Sequence, residues 1–229
     1  MTRVTTGMMV TLEASDGFVL PAYRVEPRGE PRGGVVILQE IFGLNPHIRS
    51  VADTYARAGY LAVAPALYER VAPGAELGYA PAEIARGLEL RAQCDVADVL
   101  KDIEAAVADA ALAGRTAAIG YCWGGQLAWR AAAALPELSA AVVYYGGGID
   151  ALGHLTPLCP VLGHFARRDA HIPVDGVLAV QARHPGLFEV HLYDAGHGFN
   201  CDARESHDPA AAALALSRTL RFLDQRVAA

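Results

Sequence analysis

Short, unbroken apolar runs alternate along this chain with segments of helical period, and that alternation leaves few folds open. Val35–Leu38, Tyr60–Ala64, Thr116–Tyr121, Ala140–Tyr145, Pro160–Phe165 and Leu187–Tyr193 read as strands. Runs that are apolar at nearly every position suit strands covered on both faces. Helices fill the gaps. Asn45 is placed to cap one that starts at Pro46, carries Ile48, Val51, Tyr55 and Ala58 on one side, and stops at Gly59. A long helical pattern runs from Pro81 to about Leu112, with room for one break. Further helices are expected over 125–134, 173–183 and 209–227. Strands alternating with helices imply βαβ units and a mostly parallel central sheet with helices on both faces. Sites in such sheets lie beyond the carboxyl ends of the strands. The opening differs, because Met8–Glu13 and Phe18–Val25 flank Asp16-Gly17, a hairpin turn signal. The chain of 229 residues has no internal repeat or linker, so one α/β domain over residues 1–229 is expected. Its most irregular segment, Pro65–Pro81, is the kind of long loop that often serves function.

The chemistry concentrates where strands end. Gly120-Tyr121-Cys122-Trp123-Gly124-Gly125 lies between a strand and a helix and matches the nucleophile-elbow pattern G-x-S-x-G, with Cys in place of Ser. Such a turn strains the backbone at the nucleophile, tolerates only small neighbours, and aims the following N–H groups at the reacting atom. The helix N-terminus also favours a thiolate. The bland alternative is a glycine-rich turn around a buried, inert cysteine.

A nucleophile needs a base, and the base an orienter. Downstream come Asp169, after the strand near Phe165, and His197, after the strand ending at Tyr193. Both follow carboxyl ends of expected strands, in the order nucleophile, acid, histidine. His171 is the rival base and Asp194 the rival acid, though Asp194 is close to His197 in sequence. The remaining histidines read as structural or surface groups, with His47 close to the active-site loop. Gln39-Glu40-Ile41-Phe42 follows a central strand directly. A carboxylate such as Glu40 just past a buried strand needs a hydrogen bond or a countercharge. In a hydrolase architecture the backbone N–H groups of Ile41 and Trp123 would form the oxyanion hole.

At these residues the sequence resembles the dienelactone hydrolase family of α/β hydrolases. The segments Gln39–Asn45, Gly120–Gly125, Tyr144–Gly146 and Gly196–Phe199 look like that family's motifs. The resemblance implies an α/β-hydrolase fold and hydrolysis of a lactone or ester by a Cys122, His197, Asp169 triad. It also implies that Glu40 contacts the thiol and governs its ionisation, and that Tyr145 lies near the site. Phe42, Tyr145 and Arg86 are the expected substrate contacts. One departure stands out. The family grips a substrate carboxylate with two arginines, and the corresponding positions here hold Cys201 and, approximately, Ile84. The dienelactone itself is therefore not the expected substrate, and other esters, lactones or thioesters stay open.

Composition narrows the rest. With 25 acidic against 19 basic residues the formal charge is −6, and no Lys/Arg block is present, so no nucleic-acid partner is expected. No apolar run approaches the length of a membrane span or a signal peptide, so a cytoplasmic location is expected. Four cysteines without C-x-x-C spacing read as free thiols, and neither metal nor organic cofactor is expected. A nucleotide-binding module fails for want of a P-loop or G-x-G-x-x-G spacing. A catalytically silent binding protein on the same scaffold is the remaining alternative. Partners are expected to be a small lactone or ester, and the chain a monomer or homodimer.

Overall fold

Asp16-Gly17 supply the turn, with Gly17 at φ +81°, and strands β1 (Met8–Glu13) and β2 (Val19–Val25) pair antiparallel across it. The computed structural model describes residues 7–228. The other strands are β3 (Gly34–Leu38), β4 (Leu61–Pro65), β5 (Thr116–Tyr121), β6 (Leu138–Tyr144), β7 (Val161–Ala166) and β8 (Phe188–Tyr193). All eight form one sheet in the order β1-β2-β4-β3-β5-β6-β7-β8. The pairs β1/β2 and β2/β4 are antiparallel and the rest parallel. Every residue of β3, β4 and β5 is buried, as their uninterrupted apolar character requires.

The helices are α1 (Pro46–Arg57), α2 (Pro81–Gln93), α3 (Val96–Ala110), α4 (Trp123–Ala134), α5 (Ile149–Leu152), α6 (Val174–Arg183) and α7 (Pro209–Arg226). Strand order reverses at β3: the chain steps from β3 to β4 in one direction and from β5 onward in the other. With right-handed crossovers, that reversal puts α1 and α4 on opposite faces. It also opens a crevice beyond the carboxyl ends of β3 and β5, where ligands bind in sheets of this kind.

Local signals place the boundaries. The Asn45 side chain accepts from the Ile48 N–H at 3.1 Å, capping α1 as expected. The long pattern from Pro81 breaks at Cys94-Asp95, where the Asp95 carboxylate caps α3 by accepting from the Ala97 N–H at 2.7 Å. Helix α4 starts two residues before the expected Gly125, because the Cys122 carbonyl already accepts from the Gly125 and Gln126 N–H groups. Tyr145, expected as the last residue of a strand, lies just past β6 at φ +38°. The one-turn helix α5 carries no sequence signal long enough to find it.

Two glycines let the layers close. A Cβ on Gly120 would lie 1.8 Å from the Gly124 carbonyl oxygen, and one on Gly124 would lie 2.2 Å from the Leu38 carbonyl oxygen. Strand β5, helix α4 and the end of β3 meet there with backbone against backbone. Gly120→Ala and Gly124→Ala should each lower stability by about 3 kcal/mol or more in urea unfolding. Gly196→Ala, with open space around its Cβ, should change stability by no more than about 0.5 kcal/mol.

Candidate active site

Cys122 sits between β5 and α4 at φ +53°, ψ −113°. A non-glycine residue held there costs on the order of 1–3 kcal/mol. The conformation is pinned by its own N–H, which donates to the Tyr144 carbonyl at 3.0 Å, and by its carbonyl, which starts α4. The sulfur is thereby lifted above the carboxyl edge of the sheet at a helix N-terminus.

His197, in the loop after β8, brings Nε2 to 3.2 Å from the Cys122 sulfur. Its other nitrogen lies 2.7 Å from Asp169 Oδ2, in the loop after β7. An ionised carboxylate only accepts, so Nδ1 carries the proton and Nε2 faces the thiol. Asp169 Oδ1 also accepts from the His171 N–H at 2.8 Å. Burial opposes the Asp169 charge, but the hydrogen bonds from His197 and the His171 backbone prevail and hold its pKa below the ordinary carboxylate value. Burial likewise opposes the charged His197 ring. Hydrogen bonds to Asp169 and Cys122, and the negative charge of both, push its pKa up to about 10. The expected rivals are assigned other places. Asp194 pairs with Arg168 at 2.8 Å, and the His171 ring stands edge-on to His197 with centroids 5.6 Å apart.

A pocket of about 370 Å³ opens over the sulfur. Ile41, Phe42, Ile84 and Leu88 form its apolar wall, and His171, His197, Arg91 and Arg204 its polar one. Among the described residues, neither the Ile41 nor the Trp123 N–H is engaged by another backbone carbonyl. Phe42 lines the pocket as expected.

Three expectations need correction. Arg86 does not line the pocket; it pairs with Glu89 at 3.1 Å on the outer side of α2. Two residues on from Ile84 turn a helix by about 200°, whereas Ile84, Leu88 and Arg91 fall on one stripe. Tyr145 is fully buried and does not line the pocket; its ring stands edge-on to His197, centroids 5.2 Å apart. Glu40 is buried, but neither carboxylate oxygen has a hydrogen-bond partner, so the implied contact with the thiol is not made. Burial raises its pKa, while the charges of His47, Arg204 and His197 work against the rise. Its nearest countercharge is Arg204, at 3.7 Å. Sequence reasoning missed Arg91 as a wall residue, and it named His171 only as a rival base. The spacing 84, 88, 91 could have revealed Arg91. Arg91 has no ion-pair partner among the described residues.

A parallel sheet with a strained cysteine after β5, an acid after β7 and a histidine after β8 defines an α/β hydrolase. The model of the dienelactone hydrolase family matches residues 20–227. Carboxymethylenebutenolidase 1 of Cupriavidus pinatubonensis is 33% identical over 225 residues, 93% of this chain and 95% of the relative. A Synechocystis protein named "Putative carboxymethylenebutenolidase" is 35% identical over 198 residues, 78% of this chain and 80% of the relative. Among solved structures, one titled "Putative Dienelactone Hydrolase", from Klebsiella pneumoniae, superposes with a TM-score of 0.86 at 31% identity, covering 97% of this chain and 100% of that one. The chain belongs to the dienelactone hydrolase family. No helix among the described residues is long and apolar enough to cross a membrane.

The raised pKa of His197 ties folding to pH. Its contribution to stability is fully present below the ordinary value of 6.5 and is lost as pH rises towards about 10. In ¹⁵N NMR titrations the His197 ring should keep its second proton above 6.5, and Cys122→Ala and Asp169→Asn should each lower its pKa. A wild-type ring that titrates at or below 6.5 would contradict this electrostatic picture.

Proposed function

We propose that this protein hydrolyses a small lactone or ester by acyl transfer to Cys122. The observation that carries the reading is the unbroken relay Cys122 Sγ to His197 to Asp169, at 3.2 and 2.7 Å. With its proton held on His197 Nε2, the Cys122 sulfur attacks the carbonyl carbon as a thiolate. The carbonyl oxygen becomes an oxyanion facing the Ile41 and Trp123 N–H groups. Each such donor contributes about 100–1000-fold to rate. Collapse breaks the C–O bond, and the leaving alkoxide takes the proton from His197. Water then gives a proton to His197 and attacks the thioester, and release of the acid restores the thiol. With a lactone the alkoxide stays tethered, so one hydroxy acid is the product.

Asp169 holds the imidazole tautomer. Glu40 acts on the site through charge rather than contact, because it has no hydrogen-bond partner and its ionisation responds to His197. The apolar wall takes the substrate body, and the unpaired guanidinium of Arg91 takes an anionic substituent. Arg204, shared between Glu40 and the face of Phe42, adds a second positive charge. None of these steps requires a metal or an organic cofactor. A monomer or a homodimer in a reducing compartment such as the cytoplasm suits four free thiols, one of them the nucleophile.

Against a panel of lactones and aryl esters, Cys122→Ala should lose at least about 10⁴-fold in kcat/KM while keeping its circular dichroism. Wild-type turnover by that variant would refute the reading, and absence of turnover by the wild-type protein would favour a silent binding scaffold. Arg91→Ala should raise KM about tenfold for carboxylate-bearing esters, with little effect on neutral ones, since one lost charge contact is worth about 1.4 kcal/mol.

A further inference from the structure

Beside the catalytic pocket lies a second group of reactive side chains that the proposed reaction does not use together. Glu40, His47 and Cys201 each direct one donor atom into a common space, with the three atoms within 4.8 Å of one another. All three residues are buried: Glu40 is 1% exposed, Cys201 0% and the His47 side chain 5%. Both oxygens of Glu40 and Nε2 of His47 lack any hydrogen-bond partner. Buried polar atoms are seldom left this way, because each costs about 1–3 kcal/mol without a partner.

We propose that Glu40, His47 and Cys201 form a binding site for a zinc-type divalent cation. The donor set is carboxylate oxygen, imidazole nitrogen and thiolate sulfur, a borderline-soft combination that suits zinc and leaves a fourth position open. The outer contact is also in place. His47 Nδ1 donates to Asp202 Oδ1 at 3.0 Å, and this fixes the tautomer that leaves the Nε2 lone pair free for a metal. One ion with a charge of +2 would balance a carboxylate and a thiolate, and it would give Glu40 the partner it lacks. Tetrahedral zinc needs donors about 3.5 Å apart, so separations of up to 4.8 Å shorten by up to about 1.3 Å. His47 and its partner Asp202 also line an open pocket of about 530 Å³ whose wall does not include Cys122. Arg204 is the competitor for Glu40; at 3.7 Å its ion pair is long, and its guanidinium also rests over the Phe42 ring. Binding expels the Cys201 thiol proton, so affinity rises with pH.

The probe is metal alone, added to the purified full chain: zinc in calorimetry and cobalt in absorption spectroscopy. One ion per chain is expected, and bound cobalt should show a thiolate charge-transfer band. Cys122→Ala should retain both signals. Cys201→Ser should lose the charge-transfer band, and both Cys201→Ser and His47→Ala should weaken zinc at least about 100-fold. Asp202→Asn, at a 70%-exposed side chain that cannot unfold the core, should weaken it about 10–100-fold. Absence of stoichiometric binding would overturn the proposal. So would binding that disappears in Cys122→Ala but survives in Cys201→Ser, which would put the metal on the nucleophile.

Discussion

The structure turns on one strained residue. Cys122 is held at a positive φ because β5 must end, α4 must begin and the end of β3 must pass beneath, all within a few ångströms. Glycine at 120 and 124 is the condition for that crossing, since a Cβ at either position would strike a carbonyl oxygen. The same turn presents the sulfur and leaves the Trp123 N–H at a helix start. Strain of about 1–3 kcal/mol is small against the packing of fully buried strands on either side, which is why the conformation persists.

Around that point the sheet supplies reach. Four loops at the carboxyl edge, after β3, β5, β7 and β8, bring Glu40, Cys122, Asp169 and His197 together from positions far apart in sequence. The charges are arranged in a gradient. Asp169 is kept ionised and His197 is kept proton-hungry, while Glu40 is pushed by burial towards its neutral form. Groups with diverging proton affinities side by side suit proton transfer in a site partly closed to water. The pocket above adds an apolar wall on one side and two guanidinium groups on the other. Those arginines stand at positions shifted from where the family resemblance placed them.

The sheet, the hairpin and the order nucleophile, acid, histidine were legible in sequence because each rests on local chemistry: Asp16-Gly17 for the turn, Asn45-Pro46 for a cap, glycines flanking Cys122 for the elbow. What was not legible depends on phase and depth. Arg86 and Arg91 are equally plausible as letters, and only the angular position on α2 puts Arg91 at the pocket and Arg86 with Glu89. Tyr145 reads as a strand end near the site, yet its positive φ turns the ring inward beneath His197. Glu40 was expected at the thiol; whether a buried carboxylate finds one neighbour or another is decided by side chains distant in sequence, here Arg204 and His47. The start of α4 was misjudged because the strained cysteine serves as its N-terminal boundary, a role that propensity does not anticipate.

The central claim is that sulfur at position 122 becomes covalently bound to substrate during turnover. Rapid-quench mass spectrometry with a slowly hydrolysed ester or lactone tests it directly. The account predicts that, before steady state, the peptide bearing Cys122 gains the mass of the acyl group and that the peptides bearing Cys94, Cys159 and Cys201 do not. Hydrolysis that proceeds with no adduct on Cys122, or with the acyl group on another residue, would contradict it.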